Sequence, residues 1–201
     1  MTAAALPSAG GATARLGMWV FLASEVLFFG GVFAAYGYAR WHWPAGFAEA
    51  GRHTHVAIGT VNTALLLTSS AAVALAVACS RHEPARRWTA RLLWATVALG
   101  AVFMALKVLE WLLEAREHLV PGSAFALHEA GAELFFMLYF FATGLHAVHL
   151  LAGLGVIAML ARRAMRQVDG AAIEAGALYW HFVDIVWIFL YPLIYLPGRA
   201  A

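Results

Sequence analysis

Residues 131–160 read GAELFFMLYFFATGLHAVHLLAGLGVIAML, and after Glu133 this stretch contains no Asp, Glu, Lys or Arg. A transmembrane helix needs about 20 predominantly apolar residues to cross about 30 Å of hydrocarbon. The stretch therefore predicts a membrane-spanning helix. Similar apolar runs lie at about 15–39, 56–79, 89–113 and 176–197. We expect an all-α integral membrane bundle of five transmembrane helices.

The composition agrees with a chain that lies mostly in lipid. Its 201 residues are 63% hydrophobic and only 12% charged, whereas soluble domains carry about 25% charged residues. The net charge of +2 is too small to indicate a nucleic-acid partner. The first apolar run continues to Ala39 and is longer than the roughly 7–15 residues of a signal-peptide core, so we expect it to be retained. Residues 1–14 would then form a flexible cytoplasmic N-terminus, and residues 15–201 a single transmembrane domain.

The basic residues predict the orientation of the bundle. All of them except Lys107 are arginines, and with five spans eight arginines fall on the side of the N-terminus and four on the other side. Cytoplasmic loops of membrane proteins carry the excess of Lys and Arg. We therefore expect the N-terminus in the cytoplasm and the C-terminus on the outer, periplasmic side.

Ionisable residues interrupt the first and third apolar runs, where a charged side chain costs about 2.5–3.5 kcal/mol on insertion scales. Lys107 and Glu110 share one face of the third span at i,i+3 spacing, which predicts an ion pair between them. Glu25 lies about ten residues into the first span. A carboxyl at that depth is predicted to be protonated, bonded to a neighbouring helix, or part of a proton or ion path.

The last two spans carry histidines and further acids. His146 and His149 lie one helical turn apart, as do His181 and Asp184. Such groups can bind a metal, but a single His-x-x-His is a weak pattern, and interhelical hydrogen bonding with lipid contact is the preferred interpretation. The remaining acids assigned to the intramembrane polar set are Glu133 and Glu174.

Five blocks of sequence resemble subunit III of the haem–copper respiratory oxidases. Trp19–Phe29 is similar to the helix that carries a buried, carbodiimide-reactive glutamate in that family, and Phe141–His149 contains its Thr-Gly-x-His-x-x-His pattern. The resemblance extends over nearly all of the chain, in the family's order. The other blocks are Asn62–Ser70, Leu99–Trp111 and Glu174–Trp187, of which the last is the most specific.

The resemblance implies the five-helix bacterial form of the subunit, in the bacterial plasma membrane, because the first two helices of the longer form are missing. It implies a non-catalytic chain that binds no metal, haem or other cofactor and packs against subunit I, with subunit II and a small subunit IV in the same complex. Haem and copper would lie in these partners. The chain would bind structural phospholipids in a cleft, support stable turnover and proton uptake, and join a respiratory supercomplex. The cleft residues would be Glu25, His146, His149, Trp180 and His181.

Alternatives stay open. Cytochrome c is the expected electron donor of the complex, but Lys107 stands where many cytochrome c oxidase relatives have glutamine. A ubiquinol oxidase or a nitric-oxide-reductase-associated relative is therefore a second interpretation. A small transporter would show an internal repeat and helices broken at mid-membrane; no repeat is visible, and the prolines lie in loops except Pro192. A membrane metalloenzyme would bind stoichiometric metal.

Overall fold

The computed structural model describes residues 9–81 and 86–199, and every regular element in these two ranges is an α-helix. All helices except the second are long and apolar enough to cross a membrane, which confirms the predicted all-α bundle of five transmembrane helices. The helices are α1 (Ala9–His42), α2 (Pro44–His53), α3 (Val56–Ser80), α4 (Arg86–Arg116), α5 (Ala132–Ala164) and α6 (Gly170–Tyr195).

Two helices begin well before the positions that the hydropathy pattern indicates. Residues 9–14, predicted as part of a flexible N-terminus, belong to α1, while residues 1–8 of that prediction lie outside the described residues. α6 begins at Gly170 rather than near 176, because Asp169 caps it by accepting a hydrogen bond from the Ala172 backbone N–H at 3.1 Å. Hydropathy does not detect such helix starts, because their residues are mostly alanine and glycine and are only weakly apolar.

The helix α2 was not predicted, since its charged and turn-forming residues indicated a loop between the first two spans. Pro44 stands at the first helical position, where its missing N–H leaves no bond unmade. Phe47 and Ala50 are fully buried. Phe47 packs edge-to-face against Tyr36 of α1 and Phe135 of α5, with ring centroids 5.2 and 5.4 Å apart. This short apolar face therefore covers one end of the bundle.

The four helices α3–α6 form a closed ring of neighbours. α4 packs against α3 and α5, and α6 also packs against α3 and α5. The fully buried indoles of Trp180 and Trp187 fill its interior. α1 lies at the edge of the ring, where it contacts α5, α6 and α2. Its outward side chains, such as Leu16 and Leu27, are well exposed, so lipid or another membrane protein must cover them.

Side-chain hydrogen bonds fix α6 against α3. The Trp180 indole N–H donates to Ser69 Oγ at 3.0 Å, and the Trp187 indole N–H donates to Thr63 Oγ1 at 3.0 Å. In the hydrocarbon region no water competes for these groups, and such bonds set the register of neighbouring helices. The pairs Thr60–Tyr191, at 2.8 Å, and Ser70–His181, at 2.6 Å, extend the same seam.

The C-terminal turn is held at the end of the bundle that α2 covers. Arg199 donates hydrogen bonds to the backbone carbonyls of Gly51, Arg52 and Thr54. These are the last residues of α2 and the connection to α3. One guanidinium therefore joins the chain's last described turn to the α2–α3 connection.

Candidate functional site

α1 is joined to α5 by a carboxyl–imidazole contact. Glu25 Oε2 lies 3.0 Å from His149 Nε2, and the two side chains are 17% and 16% exposed. Glu25 lies about 14 Å along the helix axis from Leu16, where the apolar part of α1 begins. That distance places the pair near the middle of about 30 Å of hydrocarbon.

The hydrogen bonds of His149 determine how many protons the pair carries. His149 Nδ1 lies 2.9 Å from the Leu145 carbonyl oxygen, which can only accept, so Nδ1 carries a hydrogen. The short contact between Nε2 and Glu25 Oε2 then requires one proton between these two atoms. The pair is either a neutral acid beside a neutral imidazole or a carboxylate beside an imidazolium. In both forms it is neutral overall, and one proton can pass between the residues.

Aromatic residues of α1 and α6 surround this pair. Phe29 of α1 meets the His149 ring edge-to-face with centroids 5.2 Å apart. From α6, Tyr179 donates its hydroxyl to the His149 carbonyl at 3.0 Å, and its ring packs against Phe21. These rings exclude water from much of the contact, which strengthens the electrostatic interaction inside it.

The other three residues predicted to line a cleft with Glu25 make their side-chain contacts away from Glu25 and its helix α1. Trp180 is fully buried and bonds to Ser69 of α3. His181 Nδ1 lies 2.6 Å from Ser70 Oγ, also on α3. His146 is 1% exposed and packs between the rings of Phe103 and Trp187. The structure therefore brings only His149 of this set to Glu25, and a role of the other three in lipid binding stays a prediction.

A second polar group lies inside the ring of helices α3–α6. Lys107 and Glu110 are 1% and 0% exposed, and Lys107 Nζ lies 3.1 Å from Glu110 Oε2, so the structure contains the ion pair that the i,i+3 spacing predicts. Lys107 also donates to the hydroxyls of Tyr139, at 2.8 Å, and Tyr195, at 3.0 Å. Tyr195 in turn donates to Glu110 Oε2 at 3.0 Å. The pair therefore connects α4 to both α5 and α6.

Sequence reasoning did not find the two tyrosines. They lie on α5 and α6, and nothing in local spacing relates them to Lys107. The one available signal is chemical, because an ammonium group has three donors and a single carboxylate neighbour leaves it short of acceptors in lipid. Hydroxyl-bearing residues on neighbouring helices were therefore to be expected.

Several buried polar groups in the ring make no hydrogen bond with the described residues. Both nitrogens of His146 and both carboxyl oxygens of Glu114 belong to this group. Asp184 is 3% exposed, and although Ser70 lies beside it, neither carboxyl oxygen has hydrogen-bonding geometry. The predicted His181–Asp184 face is therefore divided, with His181 bonded to α3.

The two remaining acids of the predicted intramembrane set lie near helix ends. Glu133 is exposed in the first turn of α5 and accepts a hydrogen bond from the Gly122 backbone N–H at 2.9 Å. Glu174 is exposed near the start of α6. Neither belongs to the buried groups, and Glu133 instead holds the α4–α5 connection.

A metal-binding cluster is absent from the part of the chain that the structure describes. No three His, Cys, Asp or Glu residues within 9–81 and 86–199 come together in a way that could hold a metal ion. Two groups of ionisable side chains connect helices within the bundle: the Glu25–His149 pair and the cluster around Lys107.

The fold and these groups define a multi-pass membrane protein that buries ionisable side chains within its membrane-spanning helices. A sequence model of the family described as cytochrome c oxidase subunit III matches residues 9–199. The chain belongs to this family, and it is a subunit III of a haem–copper oxidase.

Three relatives illustrate the range of the family. The chain is 31% identical to cytochrome c oxidase subunit 3 of Thermostichus vulcanus, over 92% of this chain and 87% of that protein. It is 30% identical to quinol oxidase subunit 3 of Bacillus spizizenii, over 91% and 86% of the two chains. It is also 31% identical to haem–copper oxidase subunit I+III of Aeropyrum pernix, over 90% of this chain and 22% of that protein.

Proposed function

We propose that this chain is the non-catalytic subunit III of a proton-pumping cytochrome c oxidase of the bacterial plasma membrane, and that it stabilises the complex during turnover. The observation that carries the proposal is the Glu25–His149 contact at 3.0 Å. It holds the peripheral α1 to the ring of helices by groups that share one proton at mid-membrane. Haem and copper would lie in partner subunits.

Subunit I is the proposed direct partner, with subunit II and a small subunit IV in the same complex. The Aeropyrum pernix relative supports this proposal, because its name assigns subunits I and III to one chain. On the present chain, the outer face of α1 offers a suitable surface, since Leu16, Val20 and Leu27 are 65%, 63% and 78% exposed. Packing against another helical membrane protein would cover this face.

Structural phospholipids are the proposed small-molecule ligands. At one end of the bundle a groove of about 540 Å³ lies between the end of α5 and the start of α6 and is lined in part by Arg163 and Arg166. Arg86 of α4 donates to the Arg166 carbonyl at 3.0 Å and so brings a third guanidinium to this end. Clustered arginines bind lipid phosphates by charge-assisted hydrogen bonds. In the proposed orientation this end faces the cytoplasm.

Ubiquinol is the second candidate donor for the complex. Two observations favour it: the similarity to the Bacillus spizizenii protein named as a quinol oxidase subunit, and a lysine at position 107. The donor would bind to another subunit, so assays of the whole complex with reduced cytochrome c and with a quinol distinguish the two.

Purification of the tagged chain from native membranes tests the proposal. We expect a large haem-containing subunit to co-purify, with an oxidase spectrum and oxygen consumption. Metal analysis should assign the iron and copper to the partners after the subunits are separated. A homo-oligomer without haem would contradict the proposed function, as would metal retained stoichiometrically by the separated chain.

A further inference from the structure

The buried cluster around Lys107 contains more carboxyl groups than basic groups. Glu110 and Glu114 are both 0% exposed, and Lys107 is 1% exposed. If both carboxyls were ionised, the cluster would carry an uncompensated negative charge inside the bundle. An isolated buried charge is far more costly than a neutral protonated acid.

The hydrogen bonds of Lys107 show which carboxyl it neutralises. An ammonium group has three N–H donors, and those of Lys107 go to Glu110 Oε2, Tyr139 and Tyr195. Glu110 Oε2 accepts a second bond, from the Tyr195 hydroxyl at 3.0 Å. Glu110 is therefore the ionised partner, and no N–H of Lys107 is left to stabilise a second carboxylate.

Glu114 is the carboxyl without a cation. Neither of its oxygens makes a hydrogen bond with the described residues, although Tyr139 lies beside it. The Tyr139 oxygen accepts from Lys107, so its hydroxyl hydrogen offers Glu114 a neutral donor but no cation. We propose that Glu114 holds an exchangeable proton, as a proton-binding site separate from the Glu25–His149 pair.

The position of Glu114 gives this proton a short route to water. Glu114 lies two residues before Arg116, the last residue of α4. Glu117, in the turn just after the helix, is close enough to Glu114 to interact with it electrostatically. Glu117 is 48% exposed and lies 3.8 Å from His55 Nε2, which precedes α3. The titratable or charged groups that interact with Glu114 are Lys107, Glu110 and Glu117 of α4 and its end, Tyr139 of α5 and Tyr195 of α6.

Infrared spectroscopy of the purified oxidase complex tests this proposal directly. The wild-type complex should show the C=O stretching band of a protonated carboxylic acid, and this band should shift to lower frequency in D2O. The Glu114→Gln complex should lack the band. The matched control is Glu49→Gln, which replaces a partly exposed carboxylate of α2 that pairs with Arg52 and should leave the band unchanged.

The stability of the same variants gives a second readout. Glutamine has nearly the shape of a neutral glutamic acid, so Glu114→Gln should assemble and melt close to the wild-type temperature. Glu110→Gln removes the counter-ion of Lys107 and should lower the melting temperature clearly. A protonated-acid band unchanged in Glu114→Gln would overturn the proposal. Failure of that variant to assemble, or a band that does not move in D2O, would overturn it as well.

Discussion

At the scale of single residues, Glu25 supplies His149 with both a hydrogen-bond partner and a proton, and two substitutions remove these differently. Glu25→Gln keeps a donor for His149 Nε2 but holds no titratable proton, and Glu25→Ala removes both. We expect haem content to stay normal in both variants and the number of turnovers before inactivation to fall in both, because each loses the shared proton. Oxygen consumption followed to completion measures this. Ser24→Ala is the matched control, since Ser24 bonds only within its own helix, to the Phe21 carbonyl. Wild-type lifetime in both Glu25 variants would refute the assigned role.

Lys107 and Glu110 are expected to behave as a coupled pair. Lys107→Met leaves Glu110 without its cation, and breaking a buried pair by removing one partner costs about 3–5 kcal/mol. Thermal unfolding of the complex in detergent should show this loss. The double variant Lys107→Met with Glu110→Leu should recover most of it, because no buried charge remains.

The control for this pair is Arg116→Met, which removes an exposed basic residue from the end of the same helix and should change stability little. A double variant no more stable than Lys107→Met alone would contradict the coupling of the two charges.

The Lys107 cluster also shows how far sequence reasoning extends at this scale. The ion pair with Glu110 was predicted because a helix places i and i+3 on one face, and the structure contains it. The bonds to Tyr139 and Tyr195 were not predicted, because they depend on which helices are neighbours. Local periodicity does not contain that information.

At the scale of helices, close packing depends on particular glycines. A Cβ at Gly100 of α4 would lie 2.8 Å from Leu154 Cδ2 and 2.8 Å from Trp180 Cη2. We expect Gly100→Ala to destabilise the bundle by about 1–3 kcal/mol, the usual cost of overpacking. Gly144→Ala is the matched control, because a Cβ there meets nothing within 4 Å, and alanine is the better helix former by about 0.8–1.0 kcal/mol. Melting temperatures of the two variants should move in opposite directions, and a shared direction would contradict this packing.

Small residues allow helices to approach closely, but not every glycine in the spans lies at such a contact. A Cβ at Gly59 would lie 2.7 Å from Tyr195 Cζ, whereas Gly30, Gly31 and Gly155 have open space beside them. The five spans followed from hydropathy alone, since length and apolarity suffice for that. The short helix α2 and the peripheral place of α1 depend on packing between distant segments, so the sequence pattern did not predict them.

At the scale of the whole molecule, the helices α3–α6 are held to one another differently from the way α1 is held to them. The ring α3–α6 is joined by buried bonds such as Trp180–Ser69 and Lys107–Tyr139, which have no competing water. α1 is joined to the ring by the Glu25–His149 contact and by a hydrogen bond from the Tyr36 hydroxyl to the Leu193 carbonyl. The ring is therefore the stable part of the subunit, and α1 is the element whose position depends most on lipid and on partner subunits.

The orientation of the molecule is a prediction that cysteine labelling in intact cells can test. Ser123 is exposed in the connection between α4 and α5, and Gln167 is exposed in the connection between α5 and α6. One membrane-spanning helix, α5, separates them, so they lie on opposite sides of the bilayer. Arginines concentrate on the Gln167 side, which favours the cytoplasm there.

Both variants are made in a Cys79→Ser background, which removes the one native cysteine. Ser123→Cys should react with a membrane-impermeant maleimide in cells whose outer envelope is permeable to the reagent and whose plasma membrane is intact. Gln167→Cys should react only after the plasma membrane is permeabilised. The two variants act as controls for each other, because each reports the side that the other does not. The reverse pattern would place the N-terminus outside and would move the arginine-lined groove away from the cytoplasmic lipids proposed to occupy it.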